Sequence, residues 1–216
     1  TGQIDPSWDL QITNALRGGA VSVRALTYYD GNVYMGGAFT HLSGGGSSRV
    51  YARNAGRVSL SGRPDRSWNP EISGAVQAVG VSEANSAFYA GGHFTTAHGN
   101  QRAWYAAKFS TQPGAAVDTG FNFEPSSASA GKYQQTIATA GNRVYIGGSE
   151  HSLFGYDAAS NQRLSGAMTF NNGGDLQATT VSSKGVIYGS CHCSDSAYQD
   201  MYVWSMNGSW SRVDEI

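Results

Sequence analysis

The chain carries little charge and almost no cysteine, and it has no long apolar run. Asp, Glu, Lys and Arg make up 13% of its 216 residues and balance to a net charge of −1 at pH 7, against the ~25% charged residues of an ordinary soluble domain. Without a basic excess there is no electrostatic footprint for a phosphate backbone, so nucleic acid is not an expected partner. Charge-driven disorder is excluded too, because the net charge is near zero and aromatics reach 12%. No stretch approaches the ~18 apolar residues of a membrane span, and none reads as a signal peptide. The only cysteines, Cys191 and Cys193, flank His192. A structural zinc site needs four ligands and favours C-x-x-C spacing, which is absent, so two reduced thiols or a local disulfide rank ahead of a metal site. No metal or other cofactor is expected. Catalytic motifs are missing as well: there is no H-E-x-x-H, no G-x-S-x-G, no P-loop and no EF-hand loop.

Glycine, by contrast, is abundant, with 29 residues in 216 where ~7% is usual. It falls in irregular doublets such as Gly36-Gly37 and Gly91-Gly92, not at every third position as collagen requires. Those doublets mark a repeat. Residues 23–37, 76–92, 134–148 and 176–190 each hold two runs of period-2 alternation around a short polar turn containing Asp30-Gly31, Asn85, Gly141-Asn142 or Lys184-Gly185. Each of these blocks reads as a β-hairpin ending in glycine, with Gly189-Ser190 replacing the doublet in the fourth.

A third alternating run follows each hairpin, at 49–54, 103–109, 153–158 and 201–206. A weaker fourth strand then ends in an aromatic, at Trp68, Phe121 and Phe170, and Trp8 fits the same slot. The intervals between successive aromatics are 60, 53 and 49 residues, so the period drifts while the order of elements holds. No helical period with caps interrupts it. Four antiparallel strands per repeat cannot bury both faces of a small sheet, so neighbouring sheets must stack. Radial stacking predicts an all-β fold, a β-propeller of four-stranded antiparallel blades, with a stacked sandwich or a β-solenoid as the competing architectures. About four blades are expected in one domain spanning 1–216, with repeats at 9–68, 69–121, 122–170 and 171–216. The aromatics should pack between blades and the doublets should ease the approach of inner strands.

The motifs D-x-S-W (Asp5 to Trp8, Asp65 to Trp68), V-Y-x-G-G-x-F-T (Val33 to Thr40), its echo F-Y-A-G-G-H-F-T (Phe88 to Thr95) and the A-R-x strand at Ala52-Arg53-Asn54 resemble the delta-60 repeat β-propellers. The resemblance covers about residues 1 to 150; the fourth block joins on strand pattern alone. It implies a non-enzymatic propeller of the kind found in secreted or surface proteins of bacteria and in minor tail proteins of phages that infect actinobacteria. The chain opens in the tail of a repeat, and 210–216 reads as an unfinished fourth strand. Either this is part of a larger propeller, or the N-terminal strand completes the last blade of a four-bladed ring.

For chemistry, Asp5, Asp65 and Asp118 read as Asx caps of the turn before each aromatic. All five histidines, His41, His93, His98, His151 and His192, fall between the second and third strands, a connection that emerges on one face of a propeller. The blade-to-blade connection emerges there too, with Asp9, Glu71, Glu124 and Asp175, beside Trp8 and Trp68. That face is the candidate binding surface, since loops on rigid repeats commonly carry recognition. Gly44 to Ser48 and Pro125 to Gly131 read as flexible surface insertions on it. The expected function is structural and recognitional, in a virion tail, with neighbouring tail proteins or host-envelope glycan or protein as partners within a larger assembly. A secreted, extracellular surface or glycan-binding propeller is the alternative. A propeller glycoside hydrolase using Glu71 and Glu124 is the second, and it would need the pair ~5 to 10 Å apart across a cleft.

Overall fold

The computed structural model describes residues 2–215 except 4, 17, 100, 124–131, 151, 165–167, 170–173, 194–200 and 207–209, with side chains described as far as Cys191 outside 165–174. Strand β1 (Gln11–Thr13) leads into the first repeat: β2 (Ser22–Tyr29), β3 (Asn32–Ala38), an added hairpin β4 (His41–Gly44) and β5 (Ser47–Tyr51), then β6 (Ala55–Ser59). The second repeat holds β7 (Val76–Ser82), β8 (Ala87–Gly92), the short pair β9 (Thr96–Ala97) and β10 (Gln101–Arg102), and β11 (Ala106–Ser110). The third is β12 (Gln134–Ala140), β13 (Arg143–Gly148), β14 (Ser152–Asp157) and β15 (Met168–Thr169). The fourth is β16 (Gly174–Val181), β17 (Val186–Cys193), β18 (Met201–Met206) and β19 (Trp210–Glu215).

Four antiparallel meanders result, β2-β3-β6, β7-β8-β11, β12-β13-β14-β15 and β16-β17-β18-β19. Their first strands pack in succession, β2 on β7, β7 on β12 and β12 on β16. Among the described residues no comparable packing joins β16 back to β2, so the blades form an open arc. The fold class expected from the sequence is therefore the one observed. Among the described residues the one helical element is a 3-10 turn at Glu83–Asn85, and no helix is long and apolar enough to cross a membrane.

Two of the recurring aromatics, Trp68 and Phe121, do lie between blades, whereas Trp8 is exposed. Trp68 is fully buried, edge-on to Tyr34 of the first blade at 5.1 Å and to Phe88 of the second at 5.0 Å between ring centroids. Phe121 is edge-on to Tyr89 at 5.5 Å and to Tyr156 at 5.1 Å across the next junction. Phe170 lies outside the described residues. The glycine doublets serve two neighbours at once. A Cβ on Gly36 would fall 2.4 Å from Val76 Cγ1, so this position admits the next blade's first strand. A Cβ on Gly37 would fall 2.0 Å from the Ser22 carbonyl, because the second glycine faces a β-bulge between Val23 and Ala25 of its own blade. The same bulge recurs between Val76 and Ala78, Gln134 and Thr136, and Leu176 and Ala178.

Several expectations need correction. Residues 49–51 are not the third blade strand: they belong to β5, which pairs with β4 and joins β1 in a separate sheet. The backbone turns at Asn54 (φ 61) and, in the second blade, at Tyr105 (φ 61), so the third strands begin at Ala55 and Ala106. Gly44 to Ser48, expected as a flexible insertion, forms the ordered turn of that added hairpin; Pro125 to Gly131 lies outside the described residues. The fourth strands of the first two blades shrink to single bridges, Val58 with Pro64 and Phe109 with Val117. In the fourth blade Ala178 pairs with Ser190 and Leu176 with Cys191, so the bulge places Ser190-Cys191, and not Gly189-Ser190, at the doublet positions. Cys191 is buried there and disulfide-bonded, against the reading of reduced thiols. Finally, β1 pairs with β4, not with the last blade, and β19 is a full six-residue strand against β18.

Candidate recognition face

The two ends of each blade differ in what the chain does there. One end carries the turns of the first hairpins, at Asp30-Gly31, Ser86 and Gly141. The other carries the bulges and the entries from blade to blade, and it is where the sequence places the candidate residues.

The bulge decides which side chains gather at that second end. In all four blades its middle residue is polar, Arg24, Gln77, Gln135 and Gln177, between neighbours that mostly face the core. Arg24 Nη1 donates to Gln77 Oε1 at 2.7 Å, linking the first two blades. His93, just beyond the second doublet, is exposed, and its ring lies 4.6 Å from that of Tyr133 at the entry to the third blade. The Tyr133 hydroxyl donates to Asp175 Oδ2 on the fourth blade's first strand. Beneath them Gln134 Nε2 donates to Glu150 Oε2 at 2.5 Å, and Lys132 Nζ lies 3.8 Å from Glu150 Oε1. Tyr133 is fixed by backbone pairing as well, its N–H donating to Ser149 Oγ and its carbonyl accepting from the Ser149 N–H.

The electrostatics follow from these neighbours. The hydrogen bond to Asp175, with burial added, pushes the Tyr133 phenol up to about 12, so it stays a donor. Partial desolvation against the packed Tyr133 ring, and then the Arg24 charge, hold the otherwise exposed His93 below the ordinary imidazole value, so its neutral form, which can accept as well as donate, dominates at pH 7. An imidazole, a phenol, a carboxylate, a guanidinium and two amides thus line an arc across four blades. This set can hydrogen-bond and stack. Among the described residues no group of three or more His, Cys, Asp or Glu is placed to hold a metal ion.

Of the predicted binding residues, the structure brings together His93 and Asp175, and the backbone of His192 is paired with Asp175 in the same sheet. The other described ones are elsewhere. Trp68 is core, its Nε1 donating to the Ser110 carbonyl at 2.9 Å. His98 Nε2 meets the Ala115 carbonyl at 2.6 Å, because β9 and β10 fold back along the blade toward the connection between its third and fourth strands. Asp9 Oδ1 accepts from the Gly45 N–H at 2.6 Å and the Trp8 ring is seated over Gly62, beside the equivalent connection of the first blade. His41 is held in the β1-β4-β5 sheet, its Nδ1 2.8 Å from Thr40 Oγ1 and 3.0 Å from Arg49 Nη2. Glu71 occupies a tight turn at φ 47, its N–H donating to Asn69 Oδ1 at 3.1 Å. Glu124 and His151, and the side chain of His192, lie outside the described residues, so the Glu71 and Glu124 pair does too.

Arg24, Gln77, Tyr133, Gln134 and Glu150 were not singled out from the sequence. A signal for the first two existed: V-R-A, V-Q-A, Q-Q-T and L-Q-A recur at one place in the repeat, and a polar residue at the same step of four half-buried strands marks a bulge facing solvent. The Asx reading was right, with Asp5 Oδ1 accepting from Ser7, Asp65 Oδ1 from Ser67 and Asp118 Oδ1 from Gly120. It missed a second role for two of them. Arg57 pairs with Asp65 at 2.6 Å and Lys108 with Asp118 at 2.9 Å.

No known protein-family profile matches the chain, and no curated protein matches it in sequence. Among solved structures it is similar to the WD40 repeats of RRP9, with a TM-score of 0.54 and 13% identity over 94% of this chain and 56% of that one. It is also similar to the computationally designed Ika4 protein, with a TM-score of 0.50 and 13% identity over 91% of this chain and 99% of that one. At such identity the likeness concerns fold alone, and the fold is that of a partial β-propeller. The chain spans just over half the length of the WD40 structure.

Proposed function

We propose that this chain is a recognition module without catalysis of its own, and that it binds through the end of the arc carrying Arg24, Gln77, His93, Tyr133 and Asp175. The observation that carries this reading is the run from His93 through Tyr133 to Asp175, which draws one side chain from each of three blades into a single hydrogen-bonding surface. Such a surface, polar, near-neutral and with an aromatic at its centre, suits a glycan or a protein of the cell envelope better than a polyanion. The motifs around Trp8, Trp68, Gly36-Gly37 and Gly91-Gly92 support placing it with the delta-60 repeat propellers. From that resemblance we infer a minor tail protein in a phage virion, contacting the host envelope or neighbouring tail proteins; a secreted bacterial surface propeller would use the same end of the blades.

Pull-down with isolated actinobacterial cell envelopes tests this reading. The intact chain should be retained, and the double variant His93→Ala, Tyr133→Ala should lose about tenfold or more in affinity, the effect of ~1.4 kcal/mol. Retention equal to the intact chain, with thermal unfolding unchanged, would remove this end of the blades as the binding surface.

A further inference from the structure

The arms that fold back along the first two blades differ in how they close. Each starts and ends on an equivalent backbone pair, the Ala52 N–H donating to the Thr40 carbonyl and the Ala103 N–H to the Thr95 carbonyl, both at 2.9 Å. Eleven residues lie between those positions in the first blade and seven in the second. In the first blade Arg66 crosses from the Asx turn to the longer arm, its Nη2 donating to Ser48 Oγ at 2.9 Å. Counted from Asp65 and Asp118, Thr119 takes the place of Arg66, and its side chain is too short to cross. Arg53 Nη2 donates to the Ser73 carbonyl at 3.2 Å, whereas Trp104, which takes the place of Arg53, lines the gap.

The result is a cleft of about 380 Å³ between residues 101–104 of the second arm and residues 117–123. That volume falls within the ~300–1,000 Å³ of small-molecule sites. Its floor is apolar, from Ala106, Ala107 and Phe121, and the half-buried Trp104 forms a wall. Gln101, Thr119 and Asp118 bring an amide, a hydroxyl and a carboxylate to the same space. Asp118 Oδ1 accepts from the Gly120 N–H, and Oδ2 from Asn161 Nδ2 and Lys108 Nζ. These bonds use three of the ~4 acceptor sites of a carboxylate, and the Asp118 side chain is 34% exposed.

Charge narrows the ligand. Lys108, 2.9 Å from Asp118, already neutralises the carboxylate that a cation would seek, and that carboxylate disfavours an anion. The Arg102 guanidinium lies 3.8 Å over the Trp104 ring, where the indole answers its charge. What suits the cleft is a neutral molecule with an apolar side and several hydroxyls. We propose that it binds one pyranose unit of a neutral glycan, the C–H side of the sugar against Trp104 and the apolar floor and its hydroxyls toward Asp118, Gln101 and Thr119. The cleft shares no residue with the surface of His93, Tyr133 and Asp175, so it is a second site and stands independently of that one.

The test is an NMR titration of the isotope-labelled chain with the methyl glycosides of glucose, galactose, mannose and N-acetylglucosamine. It follows the Trp104 indole N–H, identified as the signal lost in Trp104→Phe. At least one of the four should shift that signal and saturate in the millimolar range. Thr119→Arg places in the cleft the side chain that closes the first blade's gap, from an exposed position. It should weaken binding about tenfold or more with thermal unfolding unchanged. The double variant His93→Ala, Tyr133→Ala should bind the sugar as the parent does. Inorganic phosphate and ethanolamine, as charged probes, should leave the signal in place. Silence of the Trp104 signal toward all four glycosides, or equal binding by Thr119→Arg, overturns the proposal. A response to a charged probe without one to the sugars overturns the choice of a neutral ligand, and loss of sugar binding in the double variant overturns the independence of the site.

Discussion

The hairpin-turn end of the arc and its bulge end are joined from blade to blade by different chemistry. Toward the turn end, several ties run from a buried or half-buried donor to a backbone carbonyl of the next blade. Trp68 Nε1 reaches Ser110, Arg57 Nη1 reaches Thr111 as well as Tyr34 Oη, Lys108 Nζ reaches Ala158 at 2.9 Å, and Ser82 Oγ reaches Gly141. Turn residues meet as well, Tyr29 Oη with Ser86 Oγ at 3.0 Å. At the bulge end Asn54 Nδ2 and Arg53 Nη2 tie the blade entry through the Ile72 and Ser73 carbonyls, and the outer links are side chain to side chain among exposed or half-buried groups, Arg24 with Gln77 and His93 with Tyr133. A carbonyl left without its donor inside the fold costs stability, whereas a surface pair released to water costs little. The first end therefore holds the blades in place, and the second is left available for a partner.

That division can be broken by substitution. The largest effect belongs to Trp68→Ala, which empties the first junction and should cost about 3–5 kcal/mol in denaturant unfolding. Next comes Lys108→Met. Asp118, with its side chain 34% exposed, loses its cation and the Ala158 carbonyl its donor. The cost should be about 1–3 kcal/mol, below the ~3–5 of a fully buried pair because water reaches the carboxylate. His93→Ala at the bulge end should change stability by less than about 0.5 kcal/mol. A bulge-end variant as costly as Trp68→Ala would erase the distinction.

Acid sharpens the same comparison. Burial tends to raise the Asp65 and Asp118 carboxyls, but hydrogen bonds from Ser67 and Arg57 to the first, and from Asn161 and Lys108 to the second, hold both below the ordinary range. Their folded values lie under the ~3.9 of the unfolded chain, so the stability they contribute is complete above that value and is lost as pH falls through the folded ones. The pH dependence of unfolding below ~4 should be shallower in Lys108→Met than in the parent. An identical slope would show that the Lys108 and Asp118 pair does not hold the junction.

Sequence reasoning reached the parts of the fold that depend on short-range pattern. Alternation around Asp30-Gly31 and Gly141-Asn142 located the hairpins, and the spacing of Trp68 and Phe121 located the junctions. It failed where one pattern has two uses. Residues 49–51 alternate as a blade strand would, yet they pair with His41–Gly44, because Gly44 to Gly46 adopt positive φ and close a hairpin first. The doublet of the fourth blade was misplaced by one residue, since a bulge shifts register without leaving any mark in composition. The histidines shared a place in the repeat but not in space: Ala115 takes His98 and Thr40 takes His41, which leaves His93 as the described imidazole at the bulge end. Its partner Tyr133 comes from the third blade and Tyr133's own partner Asp175 from the fourth, at separations along the chain that no local motif encodes.

Amide hydrogen exchange of the chain, with and without isolated actinobacterial envelopes, tests the central claim most directly. The account predicts slowed exchange around residues 22–24, 75–77, 92–94 and 133–135, with the turns at 30–31, 85–86 and 141–142 unchanged. Slowing confined to those turns would contradict it.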